Sequence, residues 1–95
     1  MHTDILQALT DSIDRRESVA LVTVTAATGS FAAAIGQDAV VWPEENRAPV
    51  GSLGLDDLTE RALADARQVI REKSSRHLQY AEAHGAVSLF VDVQQ

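Results

Sequence analysis

The run Val19-Ala-Leu-Val-Thr-Val-Thr25 constrains this chain more than any other segment. It is rich in β-branched residues and apolar on both faces, so it reads as an interior strand that must be covered on each side. A helix precedes it: from Thr3 to about Arg16, Ile5, Leu6, Leu9 and Ile13 recur at helical spacing. Thr3 is a candidate cap for that helix, Asp4 suits its first turn, and Arg15 and Arg16 suit its last. After the strand, Thr28-Gly29-Ser30 reads as a turn. Gln37 to Trp42 predicts a second strand, Pro43 to Arg47 a polar turn, and Val50 to Leu53 a third strand.

A longer helix is predicted from Asp56 or Asp57 to about Ser74. Leu58, Ala62, Ala66, Val69 and Ile70 form its apolar stripe, and either aspartate is a competent N-cap. Asp57 with Arg61, and Glu72 with Arg76, are acid-to-base pairs one turn apart. The chain then reads strand, His84-Gly85 turn, strand. In the last strand Val87, Leu89, Val91 and Val93 share one face, and Ser88, Phe90 and Asp92 the other. The fold class is α/β, with α+β as its alternative: one small domain with a mixed sheet of about five strands and two main helices packed on it.

At 95 residues the chain is one domain, 1–95, and its 45% hydrophobic and 23% charged residues are the balance of a globular protein. The absence of cysteine removes disulfides, thiolate metal sites and cysteine nucleophiles. A net charge of −6 argues against nucleic acid as a partner, because phosphate backbones attract Lys and Arg clusters. No apolar run reaches the roughly 18–20 residues of a membrane span, and Met1-His-Thr-Asp4 does not resemble a signal peptide. The expectation is a cytoplasmic protein.

No catalytic constellation stands out. His2, His77 and His84 lack the spacing of a metal site, and Glu44 and Glu45 read as a solvated turn. Ser30 follows a glycine but lies in no G-x-S-x-G elbow, and nothing in the sequence marks a partner base. Gly51-Ser-Leu-Gly54 lies between a strand and a helix, where backbone N–H groups can cradle an anion. Asp56 and Asp57 follow at once, however, and would repel a phosphate by roughly 1–3 kcal/mol per charge pair at about 5 Å. The segment therefore reads as a tight turn with an aspartate cap.

The order of these segments resembles the N-terminal domain of the XdhC/CoxI family, accessory proteins for xanthine and carbon monoxide dehydrogenases. Four stretches carry the resemblance. Ile5-Leu6-Gln-Ala-Leu9 with Ser18-Val-Ala-Leu-Val-Thr-Val24 matches the family's opening helix and strand. Thr28-Gly29-Ser30 with Gly36 sits where the family has Gly-Ser-x-Pro-Arg-x-x-Gly. Val50-Gly-Ser-Leu-Gly54 matches its Val-Gly-Ser-Ile-Gly, and Val87-Ser-Leu-Phe-Val-Asp92 its closing strand. The resemblance implies a non-enzymatic role in maturing molybdenum hydroxylases: binding the molybdenum cofactor, protecting it and helping to insert it. It makes Gly29, Ser30, Gly51, Ser52 and Gly54 the remnants of a cofactor-binding site. The family's C-terminal Rossmann-like domain has no counterpart in the sequence.

The departures fall on the residues that would hold the cofactor. Where the family runs Gly-Gly-Gly-Cys-x-Glu, this chain has Gly54-Leu-Asp-Asp-Leu-Thr59. The family's Pro-Arg and later Lys fall on Ala32, Ala33 and Asp38, and its second cysteine falls on Ala83. No tightly bound cofactor is expected, although the resemblance implies the molybdenum cofactor. Two functions remain open: a maturation factor partnering a xanthine- or carbon monoxide dehydrogenase-type enzyme, or a degenerate domain serving as an interaction module. For the second, Phe31 and Ala32-Ala-Ala-Ile35 are a candidate apolar contact, with packing onto the core as the alternative. Self-association is a further expectation, because so small a domain has a sheet edge or face to bury.

Overall fold

In a computed structural model describing residues 3–94, the elements run α1 (Thr3–Asp14), β1 (Val19–Ala27), a 3-10 helix (Gly29–Ala34), β2 (Asp38–Val41) and β3 (Val50–Gly51). They continue with α2 (Leu58–Glu72), β4 (Arg76–Glu82) and β5 (Gly85–Gln94). The five strands form one sheet in the order β3-β2-β1-β5-β4. β1 lies at its centre, as its two apolar faces require.

Every neighbouring pair is antiparallel, so the sheet is not mixed. Adjacent parallel strands need a long crossover, usually a helix. The helical crossover α2 joins β3 to β4, the two opposite edges, and so creates no parallel neighbours. β3 is also shorter than Val50 to Leu53: Leu53 leaves the strand and, with Leu55, is fully buried.

The two helices cover opposite faces. Ala20, Val22 and Val24 of β1 join Leu89 and Val91 of β5 beneath the α2 stripe Leu58, Ala62, Ala66, Val69 and Ile70. On the other face Val19, Val40 and Trp42 pack against Ile5, with Ala8, Leu9 and Leu21 partly buried around them. The apolar stripe read for α1 is thus displaced. Ile5 and Ser12 are its buried residues, whereas Leu6 and Ile13 are 55% and 45% exposed. The small Ala8 and Ser12 let the helix sit close to the sheet, and the Ser12 hydroxyl accepts the Trp42 indole N–H at 2.9 Å. Arg47 lies 4.1 Å from the centre of the Trp42 ring and holds Glu17 at 3.0 Å. That pairing lowers the Glu17 carboxyl pKa.

Helix ends differ from expectation in three places. α1 stops at Asp14, leaving Arg15 and Arg16 beyond it, Arg16 with a φ of 58°. α2 stops at Glu72 because Lys73 adopts the left-handed conformation. Its N-terminus carries no side-chain cap: Leu58 and Thr59 N–H donate to the Leu55 and Asp56 carbonyls, at 3.1 and 3.0 Å. Of the two helix-face ion pairs, Glu72–Arg76 forms at 2.7 Å, while Arg61 turns instead to Glu82 at 3.6 Å.

Candidate functional site

Two distant loops close on one another where β1 ends and β5 begins. Gly29 begins the 3-10 helix with a positive φ, and a Cβ there would collide with the His84 carbonyl. Gly85 approaches Thr28 just as closely from the other side. With both side chains absent, the backbones zip together. Thr28 N–H donates to the Ala86 carbonyl at 2.8 Å, Ser30 N–H donates to the His84 carbonyl at 2.9 Å, and Ala86 N–H donates to the Thr28 hydroxyl at 3.1 Å.

This closure carries a side-chain pair that sequence reasoning missed. Ser30 Oγ and His84 Nδ1 are hydrogen bonded at 2.6 Å, and the His84 ring lies tilted on Phe31, with centroids 5.2 Å apart. The two residues stand in separate turns, and only the tertiary structure joins them. Phe31 itself is buried, as is Ala34, so the apolar loop folds onto the core; Ile35 alone of its large side chains stays 55% exposed.

Beside the pair opens a pocket of about 250 Å³ lined by Phe31, Leu55, Leu58, Asp56, Asp57, Arg61, Glu82 and His84. The α2 junction supplies its acidic wall. Asp56 holds a φ of 52°, a left-handed turn at a position where the resemblance places a family glycine. Asp57 stands at the first family cysteine position, while Glu82 and His84 flank Ala83 at the second. The two departures, far apart in sequence, therefore meet at one pocket. Its arginine is engaged: Arg61 pairs with Glu82 and lies 5.1 Å from the centre of the Tyr80 ring. The Tyr80 phenol donates to Asp65 at 2.6 Å, and burial together with that bond raises its pKa well above the ordinary tyrosine range.

The sequence-selected residues divide into two groups. Gly29 and Ser30 belong to the zipped loops beside the pocket. Gly51, Ser52 and Gly54 do not line it. Gly51 pairs with Ala39 at the β2–β3 ladder and packs its bare Cα toward Ile5 and the Asp38 carbonyl. The Ser52 hydroxyl accepts the Gly54 N–H at 3.2 Å, closing a local turn. His77 lies on β4, its ring 4.9 Å from that of Phe90, and His2 lies outside the described residues. Among the described residues no cluster of His, Asp and Glu is arranged to hold a metal ion.

The model of the XdhC and CoxI family matches residues 12–81. No curated protein matches the sequence. Among solved structures, the chain is similar to a xanthine dehydrogenase from Bacillus halodurans, with a TM-score of 0.69 and 18% identity. The match covers 97% of this chain and 30% of that one, so this chain spans under a third of the length of that structure. At this identity the likeness is one of fold.

Proposed function

We propose, from the premise that the chain belongs to the XdhC and CoxI family, that it is a non-catalytic accessory protein in the maturation of molybdenum hydroxylases. In this reading it acts in the cytoplasm by contact with a xanthine- or carbon monoxide dehydrogenase-type enzyme and does not itself hold the molybdenum cofactor. The acidic, thiol-free pocket carries the second half of that reading. Asp56, Asp57 and Glu82 line it, and Arg61 is already paired with Glu82. A phosphate-bearing pterin meets carboxylates there, each repelling it by roughly 1–3 kcal/mol at about 5 Å. A carboxylate is also a hard oxygen ligand where a soft thiolate would suit the metal. The volume of about 250 Å³ lies below the range of roughly 300–1,000 Å³ common for small-molecule sites. The residues present do not fit the cofactor.

A non-catalytic role agrees with the geometry around Ser30. The N–H groups of Ser30 and Phe31 donate to the His84 and Thr28 carbonyls, leaving neither to stabilise an oxyanion at that hydroxyl. Among the described residues no helix is long and apolar enough to cross a membrane.

The test is reconstitution. Adding the purified chain to a cofactor-free xanthine dehydrogenase supplied with isolated molybdenum cofactor should raise the fraction of active enzyme. The chain alone should retain none of that cofactor on gel filtration. Retention by the chain overturns the pocket argument, and an unchanged active fraction overturns the accessory role. Asp56→Gly with Asp57→Cys returns the thiol and removes two charges. It should gain weak, thiol-dependent retention.

A further inference from the structure

The two edges of the sheet are treated very differently. β3 is two residues long and offers little to pair with. β4 runs for seven residues with no bulge in its register, and it contains neither proline nor lysine, the usual devices that blunt an exposed edge. Its outward backbone groups can be assigned. Ala86 turns its N–H and carbonyl to Thr28, on the β1 side, so the Ala81–Ala86 pair is not a hydrogen-bonded one. Alternation along the ladder then leaves His77, Gln79 and Ala81 with N–H and carbonyl groups directed to the free edge.

We infer that this edge pairs with the β4 edge of a second copy of the chain, antiparallel and about a twofold axis at Gln79, joining two sheets into one. Two independent features select that register. A twofold at Gln79 sets odd residues opposite odd residues, so His77 meets Ala81 of the other copy and Gln79 meets its equivalent, each with free backbone groups to exchange. The same axis sets Arg76 opposite Glu82 in both halves of the interface. These fall at non-hydrogen-bonded positions, where side chains come closest. The charge pattern of the strand, a cation at one end and an anion at the other, is therefore complementary to itself. Arg76 already holds Glu72 and Glu82 holds Arg61, both pairs solvent-accessible, so each corner would become a four-charge network. Between the corners, partly buried Leu78 lies opposite Tyr80, extending the core beneath α2.

Sedimentation equilibrium on the whole chain tests this. The wild type should dimerise reversibly. Gln79→Pro removes an outward N–H without touching the bonds to β5, and should yield a folded monomer by circular dichroism. Arg76→Glu and Glu82→Arg each set like charges opposite one another twice, and each should weaken the dimer about tenfold. The double exchange Arg76→Glu with Glu82→Arg restores the pairing and should recover most of the loss. A wild type that stays monomeric up to its solubility limit overturns the inference. So does a dimer that withstands both single reversals, or a double exchange no better than the singles.

Discussion

Ser30 and His84 meet at 2.6 Å although 54 positions separate them in the chain. Their bond is the visible part of a deeper closure, in which the backbones of Gly29 and His84 lie too close for any side chain to intervene. The two layers should respond differently to substitution. Ser30→Ala removes one exposed hydrogen bond and should cost about 0.5–1.5 kcal/mol in urea denaturation. Gly29→Ala forces the loops apart at a left-handed position and should cost more, roughly 1–3 kcal/mol. Equal effects would mean that the backbone closure contributes nothing.

At the start of α2 the order of effects runs against simple capping. Asp57 makes no side-chain cap bond, so Asp57→Ala should fall well short of the roughly 1 kcal/mol of a lost N-cap. Asp56→Gly should stabilise by about 1 kcal/mol, because glycine adopts the left-handed turn without a Cβ penalty. Leu55→Gly empties a fully buried site and should cost about 2–5 kcal/mol. Any restoration of the family's glycines must therefore leave Leu55 in place.

The Ser12–Trp42 bond is the polar anchor beneath α1. Ser12→Ala strands a buried indole N–H and should cost about 1–3 kcal/mol. Trp42 is the only tryptophan, so its fluorescence follows this unfolding without interference.

Tyr80 predicts an alkaline limit. Its phenol is held neutral by burial and by Asp65, so its folded pKa lies above its unfolded one. The folded state then binds the proton more tightly, and its advantage is complete below an unfolded pKa of about 10 and fades as pH rises above it. Tyr80 is the only tyrosine, so phenolate absorbance reads it directly. The absorbance should rise together with unfolding, and Tyr80→Phe should flatten the loss of stability above that pH. A phenolate titrating as in a free peptide would refute this.

Much of the architecture was legible in local pattern. β1 announced itself through apolar residues on both faces, β5 through strict alternation, and α2 through its stripe, because burial in each depends on its own residues. The face of α1 was not legible. Ile5 and Leu6 are equally apolar, and the choice between them rests on a close approach at Ala8 and Ser12. Strand direction was hidden for a similar reason, since it depends on α2 joining opposite edges. At the candidate site, Asp56 at a family glycine position and Asp57 at the first family cysteine position were readable position by position. Their convergence with His84 at one pocket was not, because it arises from the pairing of β1 with β5.

That pairing also sets the timetable of folding. β1 is synthesised well before the strand that lies along its inner side, with Val19 opposite Gln94. β4 reaches the sheet only through β5. A nascent chain that has emerged only as far as α2 can form the β1–β2 hairpin and its helices, but its central strand still has one bare edge. Contacts so distant in sequence close slowly, and the bare edge is a template for mispairing while they do. β5, Gly85–Gln94, thus acts as a zipper pulled after the other four strands have been made, and a ribosome-stalled chain lacking it should remain protease-sensitive throughout β1.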